Sequence, residues 1–156
     1  MKYFLLTNDV ETHSIYYNDL RDETGHQVYK QAIPYLLDLY EKKNIKSTFF
    51  ITGHIAKLYP EVVKMIANKG HEIACHGLTH EVNMAFDTMS LEDQISHLKE
   101  AKKILEDISG KEVISFRAPA LRVNKDTPRA LEEAGFKIDS SISPQRLDFF
   151  FSCDNP

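Results

Sequence analysis

The chain has 156 residues, of which 42% are hydrophobic and 27% charged, and its formal net charge is −4. This length allows one domain with a real hydrophobic core, so we predict a single domain over residues 1–156. The negative charge argues against nucleic acid or an anionic membrane surface as the main partner.

The N-terminal segment and the cysteines bear on the cellular compartment. The apolar stretch at residues 3–6 is far too short for a signal peptide or a membrane span. Cys75 and Cys153 do not form a C-x-x-C pair, which argues against a zinc ribbon or a redox motif. We interpret both as reduced thiols and expect a cytoplasmic protein without a membrane span.

The first half of the chain predicts strands alternating with helices. A strand is expected at residues 3–6, and apolar spacing predicts a helix over 27–43. β-branched and aromatic residues predict a second strand at 45–52. A proline start and a glycine stop predict a helix over 60–69, and a third strand follows at 71–75.

The second half contains the clearest helix. Ser90 is a good N-cap, Gly110 stops the helix, and one apolar stripe connects them. The stripe consists of Leu91, Ile95, Leu98, Ala101, Leu105 and Ile108. A fourth strand is expected at 113–116, a helix at 127–135 and a fifth strand at 136–138. Alternating strands and helices predict an α/β fold with parallel strands.

Polar residues fall at the carboxyl ends of four of these strands. They are Asp9 and Glu11 after the first strand, His76 and His80 after the third, Arg117 after the fourth, and Asp139 after the fifth. In parallel α/β folds, chemistry gathers at this edge of the sheet. We therefore expect these side chains to meet at one rim.

Two histidines four residues apart suggest a metal site. His76 and His80 are expected on one side of a helical turn, where both can reach one ion. A carboxylate would complete a set of three ligands with open positions for water and substrate. Taken alone, the pair is more typical of two surface histidines on a loop. A zincin site is excluded, because Cys75 stands where H-E-x-x-H needs its second histidine.

The acids and the arginine each admit two interpretations. In an extended segment Asp9 and Glu11 project to the same side, where one can bind metal and the other can act as general base. Alternatively, they are solvated acids in a loop. Arg117 can hold a carboxylate in a bidentate pair, or it can form an ordinary surface salt bridge.

Five segments together resemble a known family. They are residues 6–11 (LTNDVE), 47–53 (STFFITG), 71–80 (HEIACHGLTH), 116–119 (FRAP) and 135–141 (GFKIDSS). In this order they are similar to the polysaccharide deacetylases that share the NodB homology domain, carbohydrate esterase family 4. The resemblance spans roughly residues 3–145. It implies an irregular, parallel-stranded (β/α) barrel of the NodB type.

The resemblance also implies an activity and roles for individual residues. The implied reaction removes an N-acetyl group from an amino sugar or glycan, by attack of a water activated by a divalent metal, usually zinc. The implied roles are general base for Asp9, metal ligand for Glu11, His76 and His80, orientation of the base for Arg117, and oxyanion binding by the amide of Ala120.

The chain departs from the family pattern in three ways. Val10 stands where many members have a second aspartate, so Glu11 is the expected third ligand. Leu121 stands where a glycine is usual. Family domains are longer and carry a general-acid histidine in their last strands, whereas no histidine follows His97 here. We therefore expect a barrel incomplete at its C-terminal side, with exposed strand edges and poor activity.

Two other functions remain open at this stage. One is a related amide hydrolase acting on a formylated sugar or a cyclic ureide. The other is a non-catalytic carbohydrate-binding or interaction domain that kept the fold. Oligomeric state is left open. We expect His54 and His97 to be exposed and the three phenylalanines at 149–151 to pack in a core. His13 is close enough to the first motif to line the cleft, but a position without a role in the site is the favoured interpretation.

Overall fold

The computed structural model describes residues 4–14 and 19–142, which form a parallel sheet with helices packed against it. In chain order the strands are β1 (Thr7–Val10), β2 (His13–Ser14), β3 (Asp19–Leu20), β4 (Thr48–Ile51), β5 (Glu72–Cys75), β6 (Ser115–Phe116) and β7 (Ile138–Asp139). The main sheet has the order β1-β4-β5-β6-β7 and all its pairings are parallel. The short β2 and β3 form a separate antiparallel pair.

Six α-helices connect these strands in the described residues. They are α1 (Asp22–Gln27), α2 (Ile33–Lys43), α3 (Gly53–Leu58), α4 (Pro60–Asn68), α5 (Leu91–Ser109) and α6 (Thr127–Glu133). A π-helical turn, Val28–Ala32, joins α1 to α2, and 3₁₀ turns lie at Val82–Met84 and Pro119–Leu121. No helix in the described residues is long and apolar enough to cross a lipid bilayer.

The predicted α/β class with parallel strands is confirmed. Within the described ranges the sheet does not close on itself: β1 and β7 are its two outer strands. Alternate residues of β4 and β5 face the helices, and Phe49, Ile51, Ile73 and Cys75 join the hydrophobic core there. On the opposite face, Thr48 and Glu72 line an open cavity of about 430 Å³.

The first strand lies further along the chain than predicted. Residues 3–6 were expected to form it, but the structure has β1 at Thr7–Val10, and Phe4 and Leu5 are exposed. Polar contacts fix the actual register. The Asn8 side-chain amide donates to Ser47 Oγ at 2.8 Å, and Tyr40 Oη donates to Asn8 Oδ1 at 2.9 Å. Apolar composition alone does not reveal such contacts.

Other boundaries also differ from the prediction. The strand expected at 45–52 is Thr48–Ile51, that at 113–116 is Ser115–Phe116, and that at 136–138 is Ile138–Asp139. Helix α3 (Gly53–Leu58) was missed because it starts directly after β4, where the Thr52 hydroxyl accepts the amide of Ile55 at 3.4 Å. A side-chain cap of this kind allows a strand to turn into a helix without a loop.

Helix α5 matches its prediction. Ser90 Oγ accepts the amide of Asp93 at 3.2 Å, and Gly110 ends the helix in a left-handed conformation with φ 66°. Leu98, Ala101 and Leu105 of the predicted stripe are fully buried. This helix packs against α3, α4, α6 and β5 and supports the strands that carry the candidate site.

Candidate active site

Parallel pairing brings the carboxyl ends of β1, β4, β5 and β6 to one edge of the sheet. Asp9 pairs with Phe50, which pairs with Ala74, so β1 and β5 end at the same level. Cys75 pairs with Phe116, so His76 and Arg117 leave neighbouring strands together. Asp9, Glu11, His76, His80 and Arg117 therefore lie close together at this edge, as expected.

Glu11, His76 and His80 form a compact cluster of potential metal ligands. One ligand atom from each lies within 4.8 Å of the others. Nε2 of His80 is 3.3 Å from Oε2 of Glu11, and Nε2 of His76 is 3.8 Å from the same oxygen. Two imidazoles and one carboxylate in this arrangement form a donor set that suits a divalent transition metal.

The loop that carries the histidines differs from the predicted helical turn. Residues 76–80 are not helical, and Gly77 has φ 72°. A side chain at Gly77 would lie about 3.2 to 3.3 Å from His97, Phe86 and Pro119. The left-handed glycine therefore turns the chain where a Cβ would be crowded, and this tight loop brings the two imidazoles together.

A hydrogen bond at Nδ1, on the side of the ring away from Glu11, holds the ring of His76 in one orientation. The side chain is buried, and its Nδ1 lies 2.8 Å from the Arg117 carbonyl oxygen, to which an Nδ1–H donates. This bond leaves the Nε2 lone pair facing Glu11. Burial lowers the pKa of His76, which favours the neutral form that a metal requires.

The Glu11 carboxylate is buried without a hydrogen-bond donor for one of its oxygens in the part of the chain that the structure describes. Burial, with the nearby negative charge of Asp9 as the second cause, raises its pKa to about 7. Oε2 is buried and makes no hydrogen bond among the described residues. A buried oxygen of this kind is costly without a partner, and a cation placed between it and the two Nε2 atoms would supply one.

Arg117 holds the second carboxylate of the site. Its Nη1 donates to Asp9 Oδ1 at 2.7 Å. Its Nη2 donates to Thr7 Oγ1 at 3.1 Å and to Ser140 Oγ at 2.8 Å. The guanidinium also lies over the ring of Phe50, 4.2 Å from its centroid. These contacts fix Asp9 with Oδ2 at 4.0 Å from His76 Nε2, beside the metal-ligand cluster.

Comparison with known proteins identifies the family. Residues 27–138 match the family model described as polysaccharide deacetylase. The chain belongs to the polysaccharide deacetylase family. A peptidoglycan deacetylase of Helicobacter pylori is 34% identical over 111 residues, which cover 71% of this chain and 37% of the relative. A peptidoglycan deacetylase-like protein of Gibberella zeae is 34% identical over 118 residues, covering 74% of this chain and 34% of the relative.

A solved structure agrees with this assignment. A Mycobacterium smegmatis protein assigned to the polysaccharide deacetylases superposes with a TM-score of 0.76 and 31% identity. The match covers 88% of this chain and 50% of that protein. This deacetylase-family chain therefore spans about half the length of the solved relative, and its matched part about a third of the two curated relatives. The predicted family and NodB-type fold are confirmed.

The turn after Arg117 has an unusual backbone. Ala120 and Leu121 both have positive φ, 53° and 56°. Leu121 occupies the position where the resemblance implies a glycine, and the backbone keeps the conformation that glycine would favour. Ala120 is exposed and lies three residues after Arg117. The assignment of its amide to an oxyanion stays a prediction.

His97 was expected to be exposed, and this expectation was wrong. Its side chain is buried, its Nε2 accepts the Leu78 amide at 2.6 Å, and its ring packs edge-on against Phe86. Burial lowers its pKa to about 4, so the ring is neutral. A signal was available: His97 lies four residues before Ala101, on the buried face of α5. The residue supports the loop between His76 and His80.

The remaining predicted residues either lie beside the site or are not among the residues and side chains that the structure describes. Asp139 lies in β7 rather than after it, and its Oδ1 accepts the amide of Ser141 at 2.9 Å. His54 is only partly exposed and its Nε2 lies 2.7 Å from Asp22 Oδ1. The predictions for the His13 side chain, for Cys153 and for the aromatic residues 149–151 fall outside the described residues.

Proposed function

We propose that this site hydrolyses the N-acetyl group of an amino sugar within a glycan, with a bound divalent cation. The observation that carries the proposal is the meeting of Glu11, His76 and His80 from two different strand ends, beside the Asp9–Arg117 pair. A solvated loop would not bury a carboxylate oxygen against two imidazoles. The names of the two curated relatives, both of peptidoglycan deacetylase type, support this substrate class.

Glu11, His76 and His80 would hold the cation, and we propose zinc. Imidazole nitrogen with one carboxylate is a frequent zinc donor set in hydrolases. Bound there, the ion would supply Lewis-acid activation of a water molecule and of the acyl carbonyl. The residues fit this role because the Glu11 oxygen lacks a hydrogen-bond donor and the His76 Nε2 lone pair faces it.

Asp9 is proposed as the general base. Arg117 occupies Oδ1, which leaves Oδ2 facing the ligand cluster to accept a proton from the attacking water. The guanidinium keeps the carboxylate oriented until that transfer. The amide N–H of Ala120 is proposed to donate to the oxygen that becomes negative when water adds to the acyl carbon.

Metal binding and product analysis test the proposal together. Purified protein should contain about one zinc per chain, and chelation should lower its melting temperature until zinc is restored. His76→Ala and His80→Ala should remove this response, whereas His26→Ala, an exposed histidine, should keep it. If zinc raises the melting temperature of neither the wild type nor the His26→Ala variant, the metal assignment is wrong.

The acyl group is tested with a substrate panel. Acetate release from N-acetylated glycans supports the proposal, whereas formate release from a formylated sugar would indicate the related amide hydrolase. Stable zinc binding with no release of either acid from any glycan, at any zinc concentration, would instead indicate a binding domain.

A further inference from the structure

An open pocket of about 670 Å³ lies beside the ligand cluster, against α1, α2 and the π-helical turn between them. Six of its lining residues matter here: Glu11, Gln27, Val28, Gln31, Ala32 and Tyr35. Glu11 belongs both to this pocket and to the metal-ligand cluster. A ligand that extends from the ligand cluster along Glu11 would therefore enter the pocket directly.

The pocket follows one stripe of the helical segment. Gln27, Gln31 and Tyr35 are spaced at intervals of four residues and run from the end of α1 into α2. By the helical rise they span roughly 12 Å, which suits an extended ligand rather than one small group. The middle of the stripe is the π-helical turn Val28–Ala32, and such turns are frequent at functional sites.

The groups on this stripe are available to a ligand. Within the described part of the chain, the side-chain amides of Gln27 and Gln31 have no hydrogen-bond partner. Tyr35 is 69% exposed although it is a large aromatic residue. By contrast, the hydroxyl of Thr24, which also lines the pocket, is already bound to the carbonyl oxygens of Thr12 and Arg21.

The chemistry of the pocket favours a neutral, hydroxyl-rich ligand. Apart from Glu11 the lining residues carry no charge, so nothing there would recognise a phosphate or a sulfate. Glutamine amides both donate and accept hydrogen bonds, as sugar hydroxyls do. A tyrosine ring offers an apolar face for the C–H groups of a sugar and a polar edge for its hydroxyls. A single exposed tyrosine needs no explanation, but this one shares a pocket with two unpaired amides and Glu11.

We propose that this pocket, here called the Tyr35 subsite, binds the sugar units next to the one that is deacetylated. The proposal rests on the proposed function for its link to catalysis, because Glu11 joins the two sites. The subsite would make the protein prefer a glycan chain to a single amino sugar. The ring of Tyr35 supplies stacking, and Gln27 and Gln31 supply hydrogen bonds.

Binding can be measured separately from hydrolysis. We would titrate the full chain, freed of metal with a chelator, with a tetramer of β-1,4-linked N-acetylglucosamine and with the monosaccharide. Tyr35→Ala and Gln31→Ala should each raise the Kd for the tetramer by about tenfold, since stacking and paired hydrogen bonds contribute on this scale. Tyr35→Phe should keep most of the affinity. Leu39→Ala, a partly exposed residue of the same helix outside the pocket lining, should have no effect.

Kinetics of the zinc-loaded protein give the second readout. Tyr35→Ala should raise KM for the tetramer several-fold more than KM for the monosaccharide, whereas Leu39→Ala, outside the pocket lining, should change neither. Unchanged Kd and KM in both variants would overturn the Tyr35 subsite while leaving the proposed function intact. Tetramer binding that Tyr35→Ala weakens, without any hydrolysis, would support the subsite and reject the proposed function. No saturable binding of the tetramer to the wild type would overturn the subsite.

Discussion

The backbone carbonyl of Arg117 lies 2.8 Å from Nδ1 of His76, while the side chain of the same arginine pairs with Asp9 at 2.7 Å. One residue thus positions a proposed metal ligand and the proposed base by two separable means. The first contact depends only on the path of the chain after β6. The second depends on the guanidinium group.

This separation predicts the outcome of removing the Arg117 side chain. Arg117→Ala should lower kcat on the order of 100-fold, because Asp9 loses its orientation, while zinc affinity stays within a few-fold of the wild type. Activity assays with zinc titrations check both parts. Arg129→Ala, which breaks an exposed pair with Glu133, is the control and should change neither quantity. Equal losses of zinc affinity and kcat would contradict the separation.

Glu11 should have opposite effects on the stability of the metal-free and metal-loaded protein. Without metal, its buried carboxyl, with a pKa near 7, destabilises the fold at neutral pH by up to about 3 kcal/mol. Glu11→Gln should therefore raise the melting temperature of chelated protein and remove the gain on zinc addition. Calorimetry with and without zinc measures both effects. If Glu11→Gln melts at a lower temperature than the wild type in chelator, the Glu11 carboxyl does not destabilise the metal-free protein and this prediction is wrong.

The burial of His97 predicts a dependence of stability on pH. Its folded pKa of about 4 lies below the ordinary value of 6.5, so below pH 6.5 the unfolded chain takes up the proton more readily. The contribution of the neutral His97 ring to the free energy of unfolding is fully present above pH 6.5. It is lost as the pH falls toward 4, and the total loss is about 3 kcal/mol. Urea unfolding from pH 7.5 to 4.5 should show a weaker loss for His97→Gln than for the wild type. His26→Gln, at an exposed site, should follow the wild-type curve.

The left-handed turn after Arg117 predicts that a smaller side chain is tolerated there. Ala120 is exposed at φ 53°, so Ala120→Gly relieves backbone strain and should leave the free energy of unfolding unchanged or raise it by about 1 kcal/mol. Because the amide N–H remains, activity should be retained. Gly110→Ala is the matched reverse change. Gly110 has φ 66°, and no atom of the described residues lies within 4 Å of a new Cβ there. Gly110→Ala should therefore lower the free energy of unfolding by about 1 kcal/mol through backbone conformation alone.

The grouping of the candidate residues could be predicted because it depends on strand ends, which tolerate errors in boundaries. Misplacing β1 by several residues did not matter, since Asp9 and Glu11 still came at its carboxyl end. Tertiary contacts were harder to predict. The burial of His97 depends on the Leu78 amide, and the orientation of His76 depends on a carbonyl 41 residues away. The cytoplasmic location and the single-domain assignment stay predictions.

The spacing of the two acids limits insertions and deletions in this part of the chain. Val10 is buried between Asp9 and Glu11, so both carboxylates point to the side of the histidines. Deleting or inserting one residue here would send one acid into the core face and bring an apolar side chain to the rim. A loop between strands can change length without moving these side chains to the other face, but in this chain the stretch from Asp9 to Glu11 cannot.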